Sequence, residues 1–129
     1  MLLVKVTLKS SPIHGLGIFA AEDIAQGQIV WRFDPRIDPL IPREELSSLP
    51  EGVQAFLDMY GYVTEMDGRR WILLCGDHAK HMNHRDHPNV GETEDHGAPA
   101  EVALRDIAAG EELTCNYYDF DLEADYELH

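Results

Sequence analysis

The chain has 129 residues and a mass of 14.6 kDa, enough for one domain with its own core and too few for two of ordinary size. Its 44% hydrophobic and 26% charged residues are those of a globular protein, and two cysteines, Cys75 and Cys115, can build neither a disulfide framework nor a four-cysteine zinc site. A net charge of −14, with twelve acids against the one base Arg105 in residues 91–129, excludes a basic nucleic-acid footprint.

Leu2, Val4, Val6 and Leu8 alternate with Leu3, Lys5, Thr7 and Lys9, which predicts a half-buried strand. Pro12 and Gly15 interrupt it, and Gly17-Ile18-Phe19-Ala20 reads as a second short strand. Gln28 to Phe33, β-branched and aromatic, is a third, and Pro35, Pro39 and Pro42 then make a loop. Leu49, Val53, Phe56, Leu57 and Tyr60 recur at helical spacing, so residues 43–60 hold one or two short helices. Asp67-Gly68 between Tyr60–Glu65 and Arg70–Leu74 signals a hairpin. Residues 91–98, rich in acid and glycine, read as an exposed loop, with final strands over Pro99–Leu104 and Glu112–Tyr117. Asp23-Ile24-Ala25-Gln26-Gly27-Gln28 echoes Asp106-Ile107-Ala108-Ala109-Gly110-Glu111, too short for a repeat and read as one turn chemistry used twice. Many short strands and little helix define a compact, mainly β domain.

Three stretches carry candidate chemistry. In His14-Gly15-Leu16-Gly17 two glycines let the backbone approach a ligand, or simply make a tight turn; without a third glycine and a following helix it is no phosphate loop. Between Gly76 and Val90, His78, His81, His84 and His87 recur every third residue. That spacing drifts around a helix by about 60° per step, so a pair such as His78 and His81 could chelate a metal but the four cannot share a face. Solvated histidines are the plainer reading, and Asn83 differs in being able to donate and accept hydrogen bonds at once, as a purine edge requires. The third stretch, Gly110 to Phe120, contains Tyr117 and Tyr118 and no nucleophile–base pairing for hydrolysis.

Taken in order, a Gly-x-Gly turn after an N-terminal strand, a G-D-x-A-K-x-x-N-H-x-x-x-P-N run and a closing G-E-E-L-T-x-x-Y resemble the SET domain of protein-lysine methyltransferases. The resemblance runs from about Val4 to Phe120, and in size the chain is similar to the short stand-alone SET proteins of viruses and bacteria. It implies a single SET domain over 1–129, with a core of about 4–120 and a tail at 121–129. The implied fold is a β-clip-like set of small sheets around a pseudoknot, with Asn83-His84 tucked beside the Tyr117 strand, a rare exception to the rule against threading. It implies S-adenosyl-L-methionine as methyl donor and S-adenosyl-L-homocysteine as product. Residues expected at the donor are His14, Gly15, Leu16, Gly17, Lys80, His81, Asn83, His84 and Tyr117, with Lys80 and His81 where the family often has Arg and Phe. Tyr117 matches the motif tyrosine near the transferred methyl and Tyr62 a catalytic lysine-channel tyrosine, Tyr60 being the alternative register. No bound metal is expected.

The chain departs from the family in three places. Arg85 replaces the serine of Asn-His-Ser, and Cys115-Asn116-Tyr117 replaces Tyr-Asp-Tyr. No cysteine-rich segment closes the lysine channel, so Phe120 or Tyr126, or a partner chain in a homodimer, must do so. The acidic end suits a basic, lysine-containing, histone-like peptide. Two other readings stand beside this one: a catalytically weak SET-like module that binds a basic partner, and a small histidine-rich metal protein. No apolar run approaches the ~18–20 residues that cross a bilayer, and the start MLLVKVTLKSSP has no signal-peptide layout, so no membrane and an intracellular, cytoplasmic location are expected.

Overall fold

A computed structural model of the chain describes residues 1–119 and 121–123. Alternation at the N-terminus is realised as expected: Val4 is buried and Leu3 exposed, and β1 (Val6–Ser10) pairs antiparallel with β2 (Leu16–Ala20). Leu2 precedes the strand and bridges to Trp31. Trp31 lies on β3 (Ile29–Arg32), where Val30 and Trp31 are both buried.

The loop between β3 and the helical segment contains a strand that the prolines concealed, β4 (Leu40–Pro42). It lies at the edge of its sheet, where a residue without an N–H can be tolerated. Residues 43–60 form a 3-10 turn, Arg43–Ser48, and one helix, α1 (Glu51–Tyr60). Of the five apolar residues at helical spacing only Leu57 is buried, against Val63 and Ile72; Val53 and Phe56 face solvent. Next come β5 (Gly61–Met66) and β6 (Arg69–Leu74), joined through Asp67 and Gly68 at φ 54° and 72°. Two left-handed residues in succession match the twist of a hairpin, which is why Asp-Gly announces one.

A second 3-10 turn, His78–His81, leads to β7 (Asn83–His84). Residues 91–98 are not the exposed loop expected of them. They are most of a hairpin, β8 (Val90–Asp95) and β9 (Ala98–Ala103), turned at His96 and Gly97 with φ 51° and 77°. Glu92 and Glu94 are exposed and alternate with half-buried neighbours, so the charge belongs to the wet face of a strand. The expected strand over Glu112–Tyr117 contracts to β10 (Thr114–Cys115).

The small sheets have orders β1-β2, β3-β9-β8, β4-β6-β5 and β10-β7. In the last, parallel pair, Thr114 lies beside Asn83 and Cys115 beside His84. Asn89 laces the same crossing: its Nδ2 donates to the Glu112 carbonyl at 2.8 Å and its Oδ1 accepts from the Thr114 N–H at 2.9 Å. The core sits where the sheets converge, around Ile18, Ile24, Trp31, Leu73, Ile107 and Leu113. No described helix is long and apolar enough to cross a membrane.

Candidate active site

The β1–β2 turn needs its two glycines for different reasons. Gly15 has φ 46° with no atom near where a Cβ would stand, so conformation selects glycine. A Cβ on Gly17 would meet the Glu112 carboxylate and come within 3.0 Å of the Ser11 Cβ, so space selects it. The Ser11 hydroxyl donates to Glu112 at 2.8 Å. Asn83, 6% exposed, donates from Nδ2 to the carbonyls of His14 and Leu16, both at 3.1 Å, and to Glu112 Oε2 at 2.9 Å. Its amide hydrogens therefore hold the glycine turn in place and do not face outward to read a purine edge. Glu112, at the centre of this bracing, was legible only as the second acid of Gly110-Glu111-Glu112-Leu113, a motif with no role attached to that residue.

The turn forms one side of a cleft of about 480 Å³. His14, Gly15 and Leu16 line it, as do Lys80, His81, Asn83 and His84 from the second 3-10 turn and β7, with Tyr60 and Tyr117. Gly17 does not line it; it stands behind, against Glu112. Ile13 and Met59 line the cleft and had no signal in the sequence. The histidines spaced by three divide: His81 and His84 border the cleft, while His78 and His87 are exposed. Among the described residues no three His, Cys, Asp or Glu side chains converge as a metal site.

Electrostatics fix the cleft histidines. His84 Nδ1 accepts the Tyr117 N–H at 3.1 Å, which leaves Nε2 to carry the ring proton, 3.2 Å from Asp86 Oδ1. Burial, with the charges of Lys80 and His78, holds His81 below the ordinary imidazole pKa, and its ring meets Tyr60 edge-on at 5.3 Å.

Beyond Tyr117 the cleft adjoins a narrower cavity of about 50 Å³, sharing Met59, Tyr60, Lys80 and Tyr117 with it. The Tyr117 hydroxyl donates to the Met82 carbonyl at 2.7 Å. Tyr62, Cys75, Glu101 and Cys115 complete much of the lining. Burial raises the pKa of both tyrosines and both cysteines, so phenols and thiols stay neutral there. Glu101 is pushed up to about 7, by burial foremost and by Glu92 and Asp77, against the opposing pull of the Met1 ammonium.

On its far side the narrow cavity adjoins an outer bowl of about 210 Å³ through Asp58, Met59, Gly61, Tyr62 and Asp121. Residues 121–123 wall the bowl and join β5: the Val63 N–H donates to Asp121 Oδ1 at 3.1 Å and the Leu122 N–H to the Val63 carbonyl at 3.0 Å. Glu123 accepts from Arg43 and Arg70, each at 3.0 Å. The expected channel-closing residues Phe120 and Tyr126 lie outside the described residues; Asp121 and Glu123 went unnoticed in the sequence because acids in a charged tail look solvated.

Small sheets, a parallel crossing held by two asparagines, and two cavities that meet beside the half-buried Tyr117 define a β protein built around a cleft and an adjoining cavity. The SET domain family model matches residues 15–118, and the chain belongs to that family. No match was found among curated protein sequences. Among solved structures, the chain is similar to a humanized mutant of the Chaetomium thermophilum Polycomb Repressive Complex 2 bound to an inhibitor: 27% identity, TM-score 0.69, over 93% of this chain and 16% of that one. The same complex in an autoinhibited conformation, bound to S-adenosylmethionine, matches at 27% identity and TM-score 0.67, over 95% and 16%. A Plasmodium falciparum protein described as a histone methyltransferase shares the fold at 22% identity and TM-score 0.63, over 90% of this chain and 95% of that one. This chain spans about a sixth of the length of the Chaetomium chains it matches.

Proposed function

We propose that the protein transfers a methyl group from S-adenosylmethionine to the side-chain amine of a lysine in a basic, histone-like protein or peptide. The observation that carries this reading is the meeting of a wide cleft and a narrow cavity at Tyr117. A two-mouthed site of this kind suits a reaction whose partners enter from opposite sides.

The cleft fits the donor. Lys80 offers a cation to a carboxylate, the His14–Leu16 turn offers backbone groups, and the His81 and His84 rings offer flat faces to a nucleobase. S-adenosylmethionine supplies, when bound, an electrophilic methyl on a sulfonium. Asn83 and Glu112 keep the glycine turn at its position, and Tyr117, anchored on Met82, fixes the boundary between the two cavities. Tyr62, with Tyr60 nearby, gives the narrow cavity an aromatic wall.

A free lysine has a pKa near ~10.4 and is almost wholly protonated at pH 7, so the site must favour the neutral amine. Surroundings of low polarity do so by penalising the ammonium. Alignment then contributes most of the rate, as positioning can remove several kcal/mol of barrier. The acidic bowl and tail favour approach of a Lys/Arg-rich segment.

Tritiated donor incubated with histone-type basic peptides tests this. Wild type is expected to label lysine and Tyr117→Phe to lose roughly a hundredfold in rate, the scale of a lost transition-state contact. Labelling that survives Tyr117→Phe unchanged removes the role given to the phenol. Donor binding with no labelling of any peptide instead makes the chain a binding module.

A further inference from the structure

The narrow cavity holds a carboxylate for which neither the fold nor the proposed reaction has yet given a reason. Glu101 lies on β9, the central strand of its sheet, in register with Trp31 on β3 and Glu92 on β8. Its half-buried side chain borders the cavity with Tyr62, Cys75, Met82 and Tyr117. No hydrogen bond or ion pair to its carboxylate is formed among the described residues. The space before it, about 50 Å³, is a small fraction of the cleft's 480 Å³. It suits the end of a side chain and not a larger ligand, and a carboxylate there favours a cationic one.

We infer that Glu101 receives the ammonium of the substrate side chain in the narrow cavity and is the first acceptor of the proton that the ammonium sheds. The inference rests on the lysine-methylation reading above. In this step one N–H bond of the ammonium breaks and one O–H bond forms on Glu101. The bonding pair remains on nitrogen as the lone pair, and an ion pair becomes a neutral pair. Low polarity assists both halves: it raises the carboxyl and lowers the ammonium, so a transfer that is uphill in water comes closer to balance.

The phenols and thiols around the cavity are poor acceptors. Tyr62, Tyr117, Cys75 and Cys115 are held neutral by burial and present no anionic oxygen or sulfur at neutral pH. Glu92 faces Glu101 across the hairpin, Asp77 and the Met1 ammonium act on it with opposite signs, Lys80 borders the cavity on the side of the cleft, and Asp58 and Asp121 border it on the side of the bowl. The two nearby acids keep Glu101 receptive to a proton, and the Met1 ammonium limits how far.

Two measurements on the intact chain test the inference. Calorimetry at pH 8 compares a basic peptide carrying one lysine with its norleucine counterpart, in wild type, Glu101→Gln and Glu101→Asp. Wild type is expected to prefer lysine by roughly tenfold or more, the scale of a charge-assisted hydrogen bond, with the preference lost in Glu101→Gln and partly kept in Glu101→Asp. Equal binding of the two peptides by wild type, or a preference that Glu101→Gln retains, overturns the inference. Methyl transfer against pH is the second readout. Glu101→Gln is expected to be slower by about a hundredfold at pH 7 and to recover toward pH 9.5, where free amine is available without an acceptor. An unchanged pH profile in Glu101→Gln also overturns it. A lysine preference that depends on Glu101, in a wild type that methylates no peptide, supports the ammonium receptor and overturns the methyltransferase reading.

Discussion

Glu112 organises the site without bordering the cleft that it shapes. Its carboxylate takes hydrogen bonds from Ser11 and Asn83 and fills the space a side chain at residue 17 would need. Removing it leaves the Ser11 hydroxyl without its acceptor, takes one of three acceptors from the Asn83 amide and opens a gap behind the glycine turn. Glu112→Ala should cost about 1–3 kcal/mol of stability and weaken binding of S-adenosylhomocysteine by roughly tenfold, read by thermal melting and calorimetry. A variant with wild-type affinity would detach the turn's geometry from donor binding. Gly15, Asn83, His84 and Tyr117 were legible in the sequence because each sits inside a short motif. Glu101 was not, because one acid among twelve in an acidic third of the chain looks like solvated surface until a strand turns it inward.

At the scale of elements, two hairpins use the same turn, and only one announced it. Asp67-Gly68 and His96-Gly97 each place two successive residues at positive φ. Aspartate before glycine is a recognised signal, whereas histidine there is uncommon, and the acids of β8 hid the alternation behind it. His96 at φ 51° carries conformational strain that asparagine bears better. His96→Asn should therefore raise stability by about 0.5 kcal/mol, seen as a higher denaturant midpoint at unchanged slope. A lower midpoint would mean that the histidine ring makes a contact worth more than the strain.

The echoed hexapeptides give the opposite lesson. What read as turn chemistry used twice is also a mutual contact: Ile24 bridges Ile107, the Gln26 N–H donates to Asp106, and the Ala109 N–H donates to Asp23. Each aspartate accepts from the other turn, at 2.9 Å in both cases. Sequence reveals that two segments are alike, but not that they face each other.

For the whole molecule, the carboxylate in the narrow cavity makes stability depend on pH. Glu101 has an ordinary value of 4.5 that folding raises to about 7. Between those values the folded chain holds a proton that the unfolded chain has released, so raising the pH through this window costs stability. The cost is absent below pH 4.5 and complete above pH 7, on the order of 3 kcal/mol. Glu101→Gln should melt higher than wild type at pH 8, with the difference vanishing near pH 4.5. An equal difference at both pH values would show that the gain comes from packing and not from charge.

The sequence by itself determined the N-terminal strands, the Asp67-Gly68 hairpin, the glycine turn, the crossing asparagine and the motif tyrosine. These are local patterns, set by side-chain alternation, backbone freedom and short-range spacing, and they identified the family. Tertiary structure alone decided which acid faces the narrow cavity, which glycine is needed for space, and which residues near the C-terminus wall the bowl. Those properties arise when segments as distant as Ser11 and Glu112 are brought within hydrogen-bonding distance, and a linear chain does not encode that proximity in any single stretch.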